Sequence, residues 1–270
     1  VLFAAAASFT DTMDDSIFTM DGDLTYEDEK GVKLGAVQIN GGTNTVTLSG
    51  AMSVNRLTVG TGDTLVLSGH NLFVGTGGLF LHGVLDASSG SSLISMSGSW
   101  LATGTGDFIA GRSTVRFDGT SGTHNIIASG AFFNFTVNGT GGTFIATGGT
   151  FDINGNVLLS AGTFTSSSGT VTVSGSWTKG ANSTFNHNSG SITLDGGDQT
   201  ISGSTVFYNL TKSTTTAQTL TFSSSEQTSV SGALTMKGVR ETKLTIVSTI
   251  SGVESRLIQE DGRTQNVTYL

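Results

Sequence analysis

Three sets of residues in this chain have side chains that could do chemistry. The four histidines, His70, His82, His124 and His187, are potential activators of a nucleophile, because a Ser-His-Asp trio needs an imidazole between a hydroxyl and a carboxylate. They are scattered along the chain, and among so many serines a chance trio carries little information. They read as turn or solvent histidines. Asp118 and Asp195 are the candidate pair for cleaving an acidic polysaccharide, chemistry that needs clustered carboxylates on one face. Each is followed by glycine (Asp118-Gly119, Asp195-Gly196), a dipeptide favoured in tight turns for backbone reasons, and the turn reading is preferred. Asp21-Gly22-Asp23 with Glu27, Asp28 and Glu29 gathers five carboxylates within nine residues. Calcium selects such oxygen ligands. The spacing is not that of an EF-hand loop, and the Gly-Gly-x-Gly-x-Asp nonapeptide of calcium-binding β-rolls is missing. A solvated acidic face is therefore expected, with calcium kept as the alternative cofactor. No catalytic, cofactor-binding or metal residue is assigned, and the chain is expected not to be an enzyme.

Any site here has to be positioned by strands. Runs such as Val46-Thr47-Leu48, Leu65-Val66-Leu67, Val115-Arg116-Phe117, Val171-Thr172-Val173 and Ile192-Thr193-Leu194 alternate apolar and polar, and Gly, Ser, Asn or Asp bounds each of them. That pattern marks short strands between tight turns. No segment shows a capped 3.6-residue period. Ser-Gly-Ser-Trp occurs twice, ending at Trp100 and at Trp177, and at the same offset Phe117-Asp118-Gly119 falls on Leu194-Asp195-Gly196. A shorter period lies within this longer one. Phe151, Val171 and Ile192 are 20 and 21 apart, Val157 and Trp177 are 20 apart, and Phe164 and Phe185 are 21 apart. About 20 residues thus return the chain to the same lateral position, which predicts an all-β parallel β-solenoid with inward apolar side chains stacked in columns and Asn or Thr ladders at equivalent turns. An array of antiparallel sandwiches is the competing reading. It needs a period near 100 residues, and the 20-residue spacing disfavours it.

Composition agrees with this. Among 270 residues there are 39 Gly, no Pro and no Cys, and only 12% are charged. Proline removes a ladder donor, so a chain that is nearly all paired strand has few places for one. The net charge is −8 with no basic stripe, so nucleic acid has no electrostatic footprint to bind. No run approaches the roughly 20 apolar residues that span a bilayer, and membrane insertion is not expected. The organisation expected is an apolar and acidic segment over residues 1–36, solenoid repeats over 37–236, and a strand segment over 237–270 that closes them. Val1–Ser8 resembles the small-residue end of a signal peptide; a strand of the mature chain is preferred.

The runs Val171-Thr172-Val173-Ser174-Gly175-Ser176-Trp177, Ser191-Ile192-Thr193-Leu194-Asp195-Gly196, Gln199-Thr200-Ile201-Ser202-Gly203 and Phe207-Tyr208-Asn209-Leu210-Thr211 resemble the Gly/Ser/Thr-rich repeats of large bacterial cell-surface proteins of the parallel β-helix adhesin or filament type. The resemblance covers roughly residues 45–236. It implies an extracellular, structural or adhesive role with no catalytic residues to transfer. The expectation is a subunit that polymerises with copies of itself. Val1, Leu2, Phe3 and Phe9 of the apolar first segment would add as a strand to a neighbour near Val267, Tyr269 and Leu270. The alternative is an adhesin stalk or glycan-binding segment of a larger surface protein, whose partners are cell-surface glycans.

Overall fold

A computed structural model of the chain describes residues 2–3, 17–28 and 31–270. It divides into two compact units, Val1–Phe133 and Asn134–Leu270, and the described residues of both are strands and turns without helix. Each unit is a parallel β-solenoid, as the 20-residue ladders predict.

In the second unit, one sheet stacks Asn134–Thr147, Val157–Thr165, Trp177–Asn186, Gln199–Ser202, Gln218–Phe222 and Leu244–Ser248, one strand per coil and all parallel. A second sheet stacks Thr150–Ile153, Thr170–Val173, Ser191–Leu194, Asn209–Ser213, Leu234–Lys237 and Gln265–Thr268. A third, shorter sheet holds Thr205–Phe207, Gln227–Val230 and Arg256–Gln259. The first unit is built the same way. Its longer sheet runs Ile17–Met20, Lys33–Ile39, Met52–Val59, Leu72–Leu81, Leu93–Met96 and Thr114–Phe117. The other runs Leu2–Phe3, Leu24–Asp28, Thr45–Leu48, Thr64–Val66, Val84–Asp86 and Asp107–Ile109.

The register explains why these residues form these strands. Phe151 pairs with Val171 and Val171 with Ile192, Val157 pairs with Trp177, and Phe164 with Phe185. The first column continues through Leu210 to Leu234. Alternate residues face inward and are buried, so every coil adds one apolar layer to a stacked interior. Aromatic rings interlock within it. Trp177 meets Phe185 and Phe207 edge-on at 4.8 and 5.2 Å, and in the first unit Trp100 meets Phe108 and Phe132 at 4.9 and 5.4 Å. Edge-to-face contacts of this kind add about 0.5–1.5 kcal/mol each beyond burial.

Between strands, side chains of one coil satisfy the backbone of the next. The Asn156 amide donates to Asn134 Oδ1 (3.0 Å), the Ser176 amide to Asn156 Oδ1 (2.8 Å), and the Thr200 amide to Ser176 Oγ (3.1 Å). The expected turn ladder is thus present, built on Asn and Ser. Close packing also sets residue size. Gly203 sits at φ 84°, and a Cβ there would lie 1.7 Å from the Lys179 carbonyl oxygen. Only glycine satisfies both demands.

Tyr26 is fully buried in the first unit. Burial raises its pKa far above the ordinary tyrosine value, and the Asp28 charge and hydrogen bond add to the shift. Above about pH 10 the folded chain therefore holds a proton that the unfolded chain releases, and stability falls as pH rises. Tyr26→Phe is expected to flatten that fall, read as the shift in urea midpoint between about pH 9 and about pH 11. An unchanged shift would show that Tyr26 does not titrate with unfolding.

Candidate assembly surface

Several of the residues first considered for chemistry are held in cross-coil or turn contacts. Asp118 accepts hydrogen bonds from Ser95, from Ser97 Oγ (3.0 Å) and from Arg116 Nε (3.1 Å). Asp195 accepts one from Ser174 Oγ (2.8 Å). The Ser97–Asp118 and Ser174–Asp195 pairs are separated by the same offset as Trp100 and Trp177, so the long sequence repeat is a repeat of the same cross-coil bond. His82 Nδ1 lies 3.1 Å from Thr103 Oγ1, His124 Nε2 lies 2.9 Å from the Ser121 carbonyl, and the Ser189 amide donates to His187 Nδ1 (3.0 Å). In the acidic segment, Asp23 Oδ1 accepts from the Thr45 amide (2.7 Å) and Asp21 Oδ1 from Asn44 Nδ2 (3.2 Å). Glu29 lies outside the described residues. Among the described residues, no three His, Asp or Glu side chains are grouped as metal ligands would be.

Two arrangements escaped the sequence reading. Thr172, Thr193, Thr211 and Thr235 stack in one outward column. Their uneven spacing in the sequence conceals it, because coil length varies at the turns. Lys212 continues the inward column Val173–Leu194–Lys212–Met236 and is fully buried. Its Nζ donates to the carbonyls of Gly196 (2.6 Å) and Gly197 (2.8 Å) and to Gln199 Oε1 (2.6 Å). The alternation Asn209-Leu210-Thr211-Lys212 marked the position as inward. The charge of a lysine argued against that placement.

Among the described residues, most of the exposed large apolar side chains lie on or beside the last coil. Leu244–Ser248, Arg256–Gln259 and Gln265–Thr268 each end their sheet among the described residues. Val239, Val247, Ile250, Val253, Val267, Tyr269 and Leu270 on and beside these strands are exposed, Ile250 at 55% and Tyr269 at 53%. An uncovered edge bearing apolar side chains is a template for another strand. Of the residues expected to join it, the backbone of Leu2–Phe3 runs parallel to Glu27–Asp28 of its own chain and opens its sheet. Val1 and Phe9 lie outside the described residues. Charge differs between the two ends of the sequence. Residues 1–36 carry eight acids against Lys30 and Lys33, a net of −6, whereas residues 237–270 carry five basic and four acidic groups, a net of +1.

Comparison with family models, curated proteins and solved structures finds no match for the chain.

Proposed function

We propose that this chain is a non-catalytic structural subunit that assembles with copies of itself into an extracellular filament or surface layer, joined head to tail by strand addition. The observation that carries this reading is the last described coil, where three parallel strands end their sheets and Val267, Tyr269 and Leu270, on and just after one of them, are exposed. The occupant is the first coil of a second copy. Its described strands Ile17–Met20 and Leu2–Phe3 also open their sheets, and the sequence segment 1–36, with a net charge of −6, complements the +1 of residues 237–270. Leu2–Phe3 take part from their place beside Glu27–Asp28, as the outermost strand of the incoming coil. A contact between two different surfaces that does not close on itself propagates into a fibre. The resemblance to bacterial surface repeats supports the extracellular setting.

Electron microscopy of the purified chain is expected to show fibres, and Val267→Lys combined with Tyr269→Asp is expected to give folded monomers. Both positions are exposed and charge blunts an edge, so the double variant leaves the fold in place. Removing residues 1–10 tests the incoming strand and is expected to stop growth as well. Fibres should thin out as salt rises, because the opposed charges are screened beyond about 8 Å at physiological ionic strength. A wild-type chain that stays monomeric at high concentration, or fibres indifferent to both variants, would overturn the reading.

A further inference from the structure

We infer that the outer face of the first unit carries a binding site for a single acidic sugar ring, a pyranose bearing a carboxylate. This ligand site is independent of assembly and holds whether or not the chain polymerises.

Lys33, Ser53, Phe73 and Ser95 occupy one column across four successive coils of the long sheet. Their neighbours along the strands, among them Leu34, Met52, Val54, Leu72 and Ile94, point inward and are buried, so this column faces out. One column further along lie Gly75 and Ser97. Together Lys33, Ser53, Phe73, Gly75, Ser95 and Ser97 line a cleft of about 160 Å³. That is well below the roughly 300–1,000 Å³ of pockets for larger ligands, and it suits one ring.

The polar groups specify what the ligand must bring. Ser95 and Ser97 direct their hydroxyl protons to Asp118, and Arg116 Nη2 donates to Ser95 Oγ (3.0 Å). Ser95 is buried and its Oγ already accepts from Arg116, whereas Ser97, with its own proton committed to Asp118, keeps acceptor capacity beside the cleft that a ligand O–H donor would satisfy. Phe73 is half-exposed at mid-column and offers a ring face for an apolar C–H surface. Lys33 is exposed at one end, and among the described residues it forms no ion pair. Its ammonium calls for an anion. Hydroxyl donors, one apolar face and a carboxylate occur together in a uronic acid ring. The Asp118–Arg116 pair is already neutralised at 3.1 Å, which leaves Lys33 as the charge that reads the ligand.

Trigalacturonate, titrated into the intact protein and followed by amide chemical shifts, is expected to move Ser53, Phe73, Gly75 and Ser95 with millimolar affinity. Neutral galactotriose should bind more weakly. Lys33→Gln should weaken the acidic sugar about three- to fivefold, as for an exposed ion pair, and leave the neutral one unchanged. Phe73→Ala should weaken both about tenfold. Lys33 is on the surface and its replacement leaves the fold intact, so that arm decides the matter even if Phe73→Ala perturbs packing. Silence of the cleft amides, equal binding of both sugars, or indifference to Lys33→Gln would overturn the assignment.

Discussion

Lys212→Ala is expected to destabilise the second unit by about 3–5 kcal/mol, the combined cost of a cavity and of stranded acceptors. The Lys212 ammonium projects into the apolar interior and clamps the turn through Gly196, Gly197 and Gln199. Gln199 Nε2 in turn donates to the carbonyls of Val173 (2.8 Å) and Gly175 (2.6 Å), so one lysine closes a network that reaches two coils back. Lys212→Met restores the volume but leaves the same acceptors unpaired, and it should recover only the packing share. Urea unfolding of both variants reads the difference, and a methionine variant as stable as wild type would show that the polar nest adds nothing. The pH dependence provides a second check. Burial pulls the Lys212 pKa below the ordinary lysine value, while Asp195 and Asp198 oppose the shift. Between its folded value and about 10.4 the unfolded chain binds the extra proton, so stability rises with pH across that window. Both variants should lose that rise.

Trp177→Ala is expected to cost about 3–5 kcal/mol as well, through the cavity it leaves. Trp177 is fully buried, is flanked by Phe185 and Phe207, and pairs in register with Val157 and Ile201. In a stacked array each layer is covered only by its neighbours, so a missing layer cannot be filled from elsewhere. Trp177→Phe separates the indole ring from its polar group. Trp177 Nε1 is buried without a hydrogen-bond partner among the described residues, so phenylalanine gives up some volume but relieves an unsatisfied donor. Its cost should stay below about 1.5 kcal/mol, as in other near-conservative core exchanges. Thermal unfolding monitored by circular dichroism distinguishes the two. Equal losses for Ala and Phe would mean that the indole nitrogen is not a liability.

Much of the architecture was legible in the order of residues. The three ladders through Phe151, Val157 and Phe164 predicted the observed register, because side chains in a parallel coil stack directly on their equivalents one turn away. For Asp118 and Asp195 the structure shows the same setting, just after a strand and accepting from a serine one coil back, which the Asp-Gly dipeptide did not announce. The candidate surfaces were less legible. That Val267, Tyr269 and Leu270 lie exposed on and just after the last strand could be anticipated from a strand-like run in the last segment. The cleft around Phe73 could not, since Lys33, Ser53, Phe73 and Ser95 each sit a full coil from the next and are of unlike type, so no motif joins them.

The amino-acid order alone determined that the chain winds in parallel coils with alternate residues inward, since period-two burial repeated at a near-constant interval admits few other packings. Only the tertiary structure decided which outward residues become neighbours and that Lys212 points into the interior. Coil length varies by several residues at the turns. Outward side chains meet no core to discipline their spacing, so their alignment emerges only once the backbone ladders have set the register.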